Sequence, residues 1–321
     1  MSSSTDGYRD LLEAVNRGIE GVALPAVEAE PGDGSGFSTR LFVTGVPRTG
    51  TTLLMQLLAA SGAVAYVSNF VARFYRNPTF GAALQELAAP LLPARQARFR
   101  SDYGRTRRWH QPHEFGFFWE HHLPFGDDHD PSPTALETVD WAALREALDG
   151  LAHRLGGPLA LKNNLLACVT PALGRHLPGS VFVELRRDPE AVAHSLLRAR
   201  REEAGGAGRW WSTRPAGWAR LESQQPPVRQ IAWQIAALDA AHARARHRVG
   251  EDRWVRLAYD DLCADPRAAV AGLAERFHLD PPDLDALPEA FPPSRVEEPD
   301  PLLQELGPAL EEARTQLAAG E

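Results

Sequence analysis

Residues 45–54 read GVPRTGTTLL, and the placing of Gly45 and Gly50 is that of a phosphate-binding turn. In nucleotide hydrolases a lysine follows the second glycine and reaches the outer phosphates. Here Thr51 stands in that place, Thr52 fits the position after it, and the nearest cation, Arg48, sits inside the loop. A second group lies in SVFVELRRDPEAVAHSLL (180–197), where Arg186, Arg187 and Asp188-Pro189 precede a helix carrying Ser195 about two turns in. Taken alone, these residues are equally an ordinary helix start with solvated arginines. A third, VRLAYDDLCADP (255–266), delivers Tyr259 and two acids; alone, it is a core tyrosine followed by a helix cap. The fourth, WHQPHEFGFFWEHHLP (109–124), gathers His110, His113, Glu114, Glu120, His121 and His122 among aromatic residues, as acid–base chemistry requires. Glu114 is the preferred base there and His113 the second; a capping Glu114 with half-exposed histidines is the plainer alternative. Metal binding by His110, His113 and Glu114 is not expected, because the spacing is not that of a zinc helix.

These groups need elements to hold them. LFVTGV (41–46) is apolar and β-branched, a buried strand, and TTLLMQLLAASG is a helix stopped by Gly62. Strand, glycine turn and helix N-terminus form the setting of an anion loop. Further strands are expected at 158–163, at 180–187 and within RWVRLAYDDL, and helices at 137–156, 188–203 and 228–250 and in DPRAAVAGLAERFHL. LLACVTPALGRHL reads as helical but broken near Pro171. Alternation of strand and helix predicts an α/β layered fold of P-loop type, with a parallel central sheet flanked by helices. The predicted core spans about 40–280, with a leading helix at 8–20, a flexible Gly/Pro/Ser stretch at 28–40 and a helical tail at about 300–319, all in one domain over 1–321. AGGAGRWWSTRPAGW (204–218) reads as an inserted loop.

The chain has 321 residues, 44% of them hydrophobic and 24% charged, with a formal charge of -8. That charge argues against nucleic-acid binding, which needs a strong basic field. Cys168 and Cys263 lack metal spacing and suit a reducing compartment as buried thiols. MSSSTDGYRDLL does not have the pattern of a signal peptide, and no apolar run reaches the length of a membrane span. A soluble, cytoplasmic protein with no membrane partner is expected.

In this order the first three groups resemble the sulfotransferases that use 3′-phosphoadenosine 5′-phosphosulfate (PAPS), in particular a bacterial branch. Pro47, Arg48, Thr49, Gly50, Thr51 and Thr52 match that family's 5′-phosphosulfate loop, Arg187 and Ser195 its 3′-phosphate pair, and Tyr259-Asp260-Asp261-Leu262 the motif whose tyrosine lies by the adenine. The resemblance implies transfer of a sulfuryl group from PAPS to a hydroxyl or amine of a small-molecule acceptor, aromatic or apolar, with release of 3′,5′-ADP (PAP) and without a metal. It implies that Arg48 and Lys162 stabilise the moving charge. The departures are specific. Asn164 stands where one branch has a catalytic histidine, and YVSNFVARFY lacks the glutamate of another. HEFGFFW looks like a stretch of the bacterial branch, which points again to Glu114. The family's glycine-rich nucleotide motif is missing, with Arg209 in GGAGRWW a loose substitute. Trp109, Trp119, Trp210, Trp211 and Trp218 could line the acceptor pocket or pack as ordinary loop residues. A homologue that binds nucleotide without transfer, and a P-loop kinase, are the alternatives; the kinase lacks the loop lysine and a strand-end Asp for Mg²⁺.

Overall fold

The computed structural model describes residues 2–24 and 39–319, so most of the glycine-rich stretch expected at 28–40 lies outside the described residues. Five strands form one sheet: β1 (Arg40–Gly45), β2 (Ala65–Tyr66), β3 (Leu159–Lys162), β4 (Ser180–Arg186) and β5 (Trp254–Ala258). Their spatial order is β2-β3-β1-β4-β5, and every pairing is parallel. This is the α/β fold with a parallel central sheet that the alternation predicts. All of β1 and β3 is buried, because helices cover both faces.

The pleat sends alternate residues to two cores. On one face Phe42, Phe182 and Trp254 sit in register on three adjacent strands and stack at 5.3 and 5.4 Å between ring centroids. Leu159, Leu161 and Trp119 join them. On the other face Leu41, Val43, Val183 and Leu185 pack against the helices Thr51–Ser61 and Pro266–Phe277. A third cluster joins the helices Pro189–Glu203, Pro227–Val249 and Leu306–Ala319.

Several boundaries differ from the sequence reading. The helix expected at 137–156 is two, Pro133–Glu137 and Trp141–Leu155, because Asp140 caps the second through the Ala143 amide. The break near Pro171 falls between a 3₁₀ turn, Asn164–Ala167, and the helix Thr170–His176. The leading helix spans Ser2–Ile19, and Pro301–Leu303 and Leu306–Ala319 make the tail. Edge strand β2 and the helix Pro78–Ala88 were not foreseen. No described helix is long and apolar enough to cross a membrane.

Strands β1 and β4 are neighbours whose chains leave toward opposite edges of the sheet. That is the switch point where a parallel sheet opens a crevice at its carboxyl edge. The turn after β1 is tight. Gly50 has φ 100°, and a Cβ there would lie 2.6 Å from Cδ2 of Tyr259. Gly50→Ala should therefore meet both a left-handed backbone and a ring. Gly62→Ala, at φ 72° with nothing within 4 Å, meets only the first. The Gly62 change should cost roughly 1–2 kcal/mol in urea unfolding, and the Gly50 change about twice that or more. Equal costs would mean that Tyr259 yields freely.

Candidate active site

The loop from β1 to the helix Thr51–Ser61 is closed by Thr49, whose hydroxyl and amide both donate to the Val46 carbonyl, at 2.8 and 3.2 Å. Arg48 has φ 80°, unusual for a residue with a side chain, and Gly50 follows at φ 100°. Backbone turned this way can present amides to an anion. No side chain caps the N-terminus of the helix, so its positive end faces the crevice undiluted.

Arg48 points across the crevice, where its Nε donates to Ser195 Oγ at 2.9 Å and its guanidinium lies over the Tyr103 ring at 5.2 Å. Burial holds the Arg48 guanidinium below its ordinary pKa, and Arg198 and Arg187 push the same way. Arg187, at the end of β4, donates to the Arg48 carbonyl at 3.1 Å and to the Ser294 carbonyl. Its guanidinium sits 4.3 Å from the centroid of the Tyr259 ring, a cation–π contact. The Tyr259 hydroxyl accepts from the Ser294 amide at 3.3 Å. The structure thus brings Arg48, Arg187, Ser195 and Tyr259 together around the loop.

Lys162 ends β3 with its side chain only 4% exposed, and its ammonium pairs with Glu114 Oε1. Asn163 Nδ2 donates to the Glu114 backbone carbonyl at 3.0 Å and so tethers that residue to the strand end. A Cβ at Gly104 would lie 3.2 Å from Glu114 Oε1, 3.6 Å from Thr52 Oγ1 and 3.9 Å from Lys162 Nζ. Carboxylate, hydroxyl and ammonium therefore converge on one small volume that Gly104 leaves open. Asn164 Oδ1 is buried nearby without a hydrogen-bond partner.

The surroundings of Glu114 differ from the expectation of an acid shielded by phenylalanines. Its side chain is 41% exposed. Phe115 has φ 58°, which turns the chain so that Phe115 and Phe118 stack at 4.3 Å inside the core while Glu114 faces the crevice. His113 does not line the cavity. Its Nδ1 accepts from the Phe115 amide at 2.8 Å, and burial, with Arg73 beside it, lowers its pKa to about 4. His110 Nε2 is engaged with the Gln96 backbone. Among the described residues no group of His, Cys, Asp and Glu is placed to hold a metal ion.

The cavity is about 840 Å³ and is lined by both clusters together with Tyr103, Arg105, Arg198, Trp211 and Phe291. Of the five tryptophans singled out in the sequence, only Trp211 lines it. Trp119 is in the core, Trp109 donates to the Pro93 carbonyl, Trp210 lies under Arg200 and Trp218 under Arg214. Arg209 lies outside the cavity. Sequence reasoning missed Tyr103 and Gly104, which sit in a segment without periodicity, and Arg198, which reads as one charge on a solvated helix face.

The fold is similar to that of one mycobacterial sulfotransferase, and a second gives a lower score. Against sulfotransferase STF1 from Mycobacterium tuberculosis H37Rv the TM-score is 0.54, with 18% identity, covering 88% of this chain and 77% of that one. Against sulfotransferase STF9 from Mycobacterium avium it is 0.49, also with 18% identity, over 88% and 68%. No curated protein sequence matches. The model of the sulfotransferase family matches residues 40–283, from β1 through the helix Pro266–Phe277. By that match the chain belongs to the sulfotransferase family and is a transferase.

Proposed function

We propose that this protein transfers a sulfuryl group from PAPS to a hydroxyl or amine of a small-molecule acceptor, releasing PAP. The observation that carries this reading is the meeting, in one cavity, of an uncapped anion loop with Arg48, Arg187 and Ser195 on one side and Lys162 and Glu114 on the other. The residues present fit the donor. Pro47, Thr49, Gly50, Thr51 and Thr52 would hold its 5′-phosphosulfate through backbone amides and hydroxyls. Arg187 and Ser195 would take the 3′-phosphate, and Tyr259 would flank the base.

When bound, PAPS supplies a sulfuryl group on a phosphate: the acceptor atom bonds to sulfur, the sulfur–oxygen bond to the phosphate breaks, and the acceptor proton leaves. Glu114 takes that proton. Its Oε1 is held by Lys162, so Oε2 would be the atom that takes the proton. As Glu114 is neutralised, its attraction for Lys162 falls, and the ammonium becomes available to the sulfuryl oxygens. One proton transfer thus hands a buried positive charge to the group in flight, where preorganised charge lowers the barrier most. Arg48, within the loop but turned toward Ser195 here, would have to leave that hydroxyl to offset charge on the oxygen that departs with the phosphate. Tyr103 and Trp211 give the acceptor side an aromatic wall.

Arg187→Ala should weaken PAP binding by roughly ten- to a hundredfold and leave AMP, which lacks the 3′-phosphate, almost unaffected, since a charge-assisted hydrogen bond contributes about 1.5–3 kcal/mol. Titration calorimetry with both nucleotides decides; equal losses would remove Arg187 from the 3′-phosphate site.

Glu114→Gln should lower kcat by roughly 10²–10⁴-fold with PAP affinity intact. Lys162→Ala should lower kcat by roughly a hundredfold or more. Normal turnover in both variants would refute the assignment, and loss in His113→Ala with a normal Glu114→Gln would move the proton to the histidine.

A further inference from the structure

On the helix Pro189–Glu203, Arg198 lies three residues after Ser195 and therefore on the same face. It is exposed, and it lines two adjoining cavities: the one described above and an outer one of about 910 Å³ bounded by Arg187, His194, Ser195, Arg201 and the segment 292–298. The neighbouring charges on this helix are all committed. Arg201 pairs with Asp300 at 2.5 Å, Glu202 accepts from the Tyr103 hydroxyl at 2.5 Å, and Glu203 pairs with Arg105. Arg198 makes no ion pair or hydrogen bond among the described residues, although Glu202 is only one turn away.

Three guanidinium groups therefore line the cavity that Ser195 lines. Arg48 touches the Ser195 hydroxyl, Arg187 lines the same cavity, and Arg198 stands close enough to Arg48 to depress its proton affinity more than Arg187 does. Neighbouring like charges repel, and an unpaired arginine at the seam of two cavities is at its lowest energy when an anion lies between it and the others. A phosphate monoester has the two charges and three acceptor oxygens that several arginines can share.

We propose that Arg198 is a further nucleotide-binding residue, engaging the phosphate monoester that Arg187 and Ser195 hold, at the seam between the inner and outer cavities. This rests on the PAPS reading above. It gives the site a cation that the missing glycine-rich motif left unassigned, from a different element than Arg209.

The test is titration calorimetry of wild type, Arg198→Met and Arg201→Met with PAP and with AMP. Arg198→Met should weaken PAP by roughly five- to thirtyfold and change AMP by less than about twofold. Arg201→Met removes the same charge from the same helix but from a residue committed to Asp300, and should change PAP by no more than about twofold. Both side chains are exposed, so both variants should keep the wild-type melting temperature within a few degrees. Equal PAP losses in the two variants would show only general electrostatics and overturn the proposal, as would equal losses of PAP and AMP in Arg198→Met. A wild-type protein with no preference for PAP over AMP would overturn the donor reading, and this proposal with it.

Discussion

Holding a group of cations around one crevice is the constraint on which this structure turns. The chain as a whole carries a formal charge of -8, yet Arg48, Lys162, Arg187 and Arg198 line one cavity. Each of the first three is restrained by a different means. Lys162 has a carboxylate, Arg187 has two carbonyls and an aromatic face, and Arg48 has a hydroxyl and a second ring. Of these three, only Lys162 is paired with an acid. Carbonyls, hydroxyls and rings orient a guanidinium without cancelling its charge. The cavity can therefore stay electropositive while its side chains keep fixed directions.

The same constraint explains why three short sequence groups, far apart along the chain, belong to one device. Tyr259 packs its ring on Gly50 and places it beneath Arg187, while Arg187 donates to the Arg48 carbonyl. The loop after β1, the end of β4 and the end of β5 thus brace one another directly. The parallel register of β1, β4 and β5 brings their carboxyl ends to the same edge, and the Phe42–Phe182–Trp254 stack ties those strands together. An alanine at Gly50 would disturb the second and third groups through the first.

Much of this was legible because it is local. Apolar runs bounded by turns gave four of the strands, and Gly50, Arg187 and Tyr259 follow strand ends where ligands gather, with Ser195 two turns into the helix after β4. What was not legible depends on tertiary contacts. β2 has only two residues, too short for a pattern. HEFGFFW reads as an acid wrapped in aromatics, but a single left-handed residue, Phe115, parts the acid from the rings. Gly104 acts by what it leaves empty, which no sequence pattern announces. The helix Pro189–Glu203 carries five charged residues at 198 and 200–203, and only the positions of their partners separate Arg198 from the rest.

Arg200 is the instructive member of that run. It is fully buried, and burial lowers its pKa to about 10, so it stays charged at neutral pH in a place that disfavours charge. It donates to Gln230 Oε1 at 2.7 Å and Gln234 Oε1 at 3.1 Å and lies over Trp210 at 5.0 Å. Gln234 in turn donates to the carbonyls of Trp211 and Thr213, at 2.9 and 2.8 Å, and the Trp210 indole donates to Thr213 as well. The tryptophan loop is therefore pinned from beneath by a buried cation. Replacing that network with apolar side chains would remove the desolvation cost but also the bonds that fix Trp211 at the cavity wall. The part of the cavity wall made by Trp211 is thereby held in place from outside the cavity. In this fold, then, a charge outside the cavity sets the shape of the cavity.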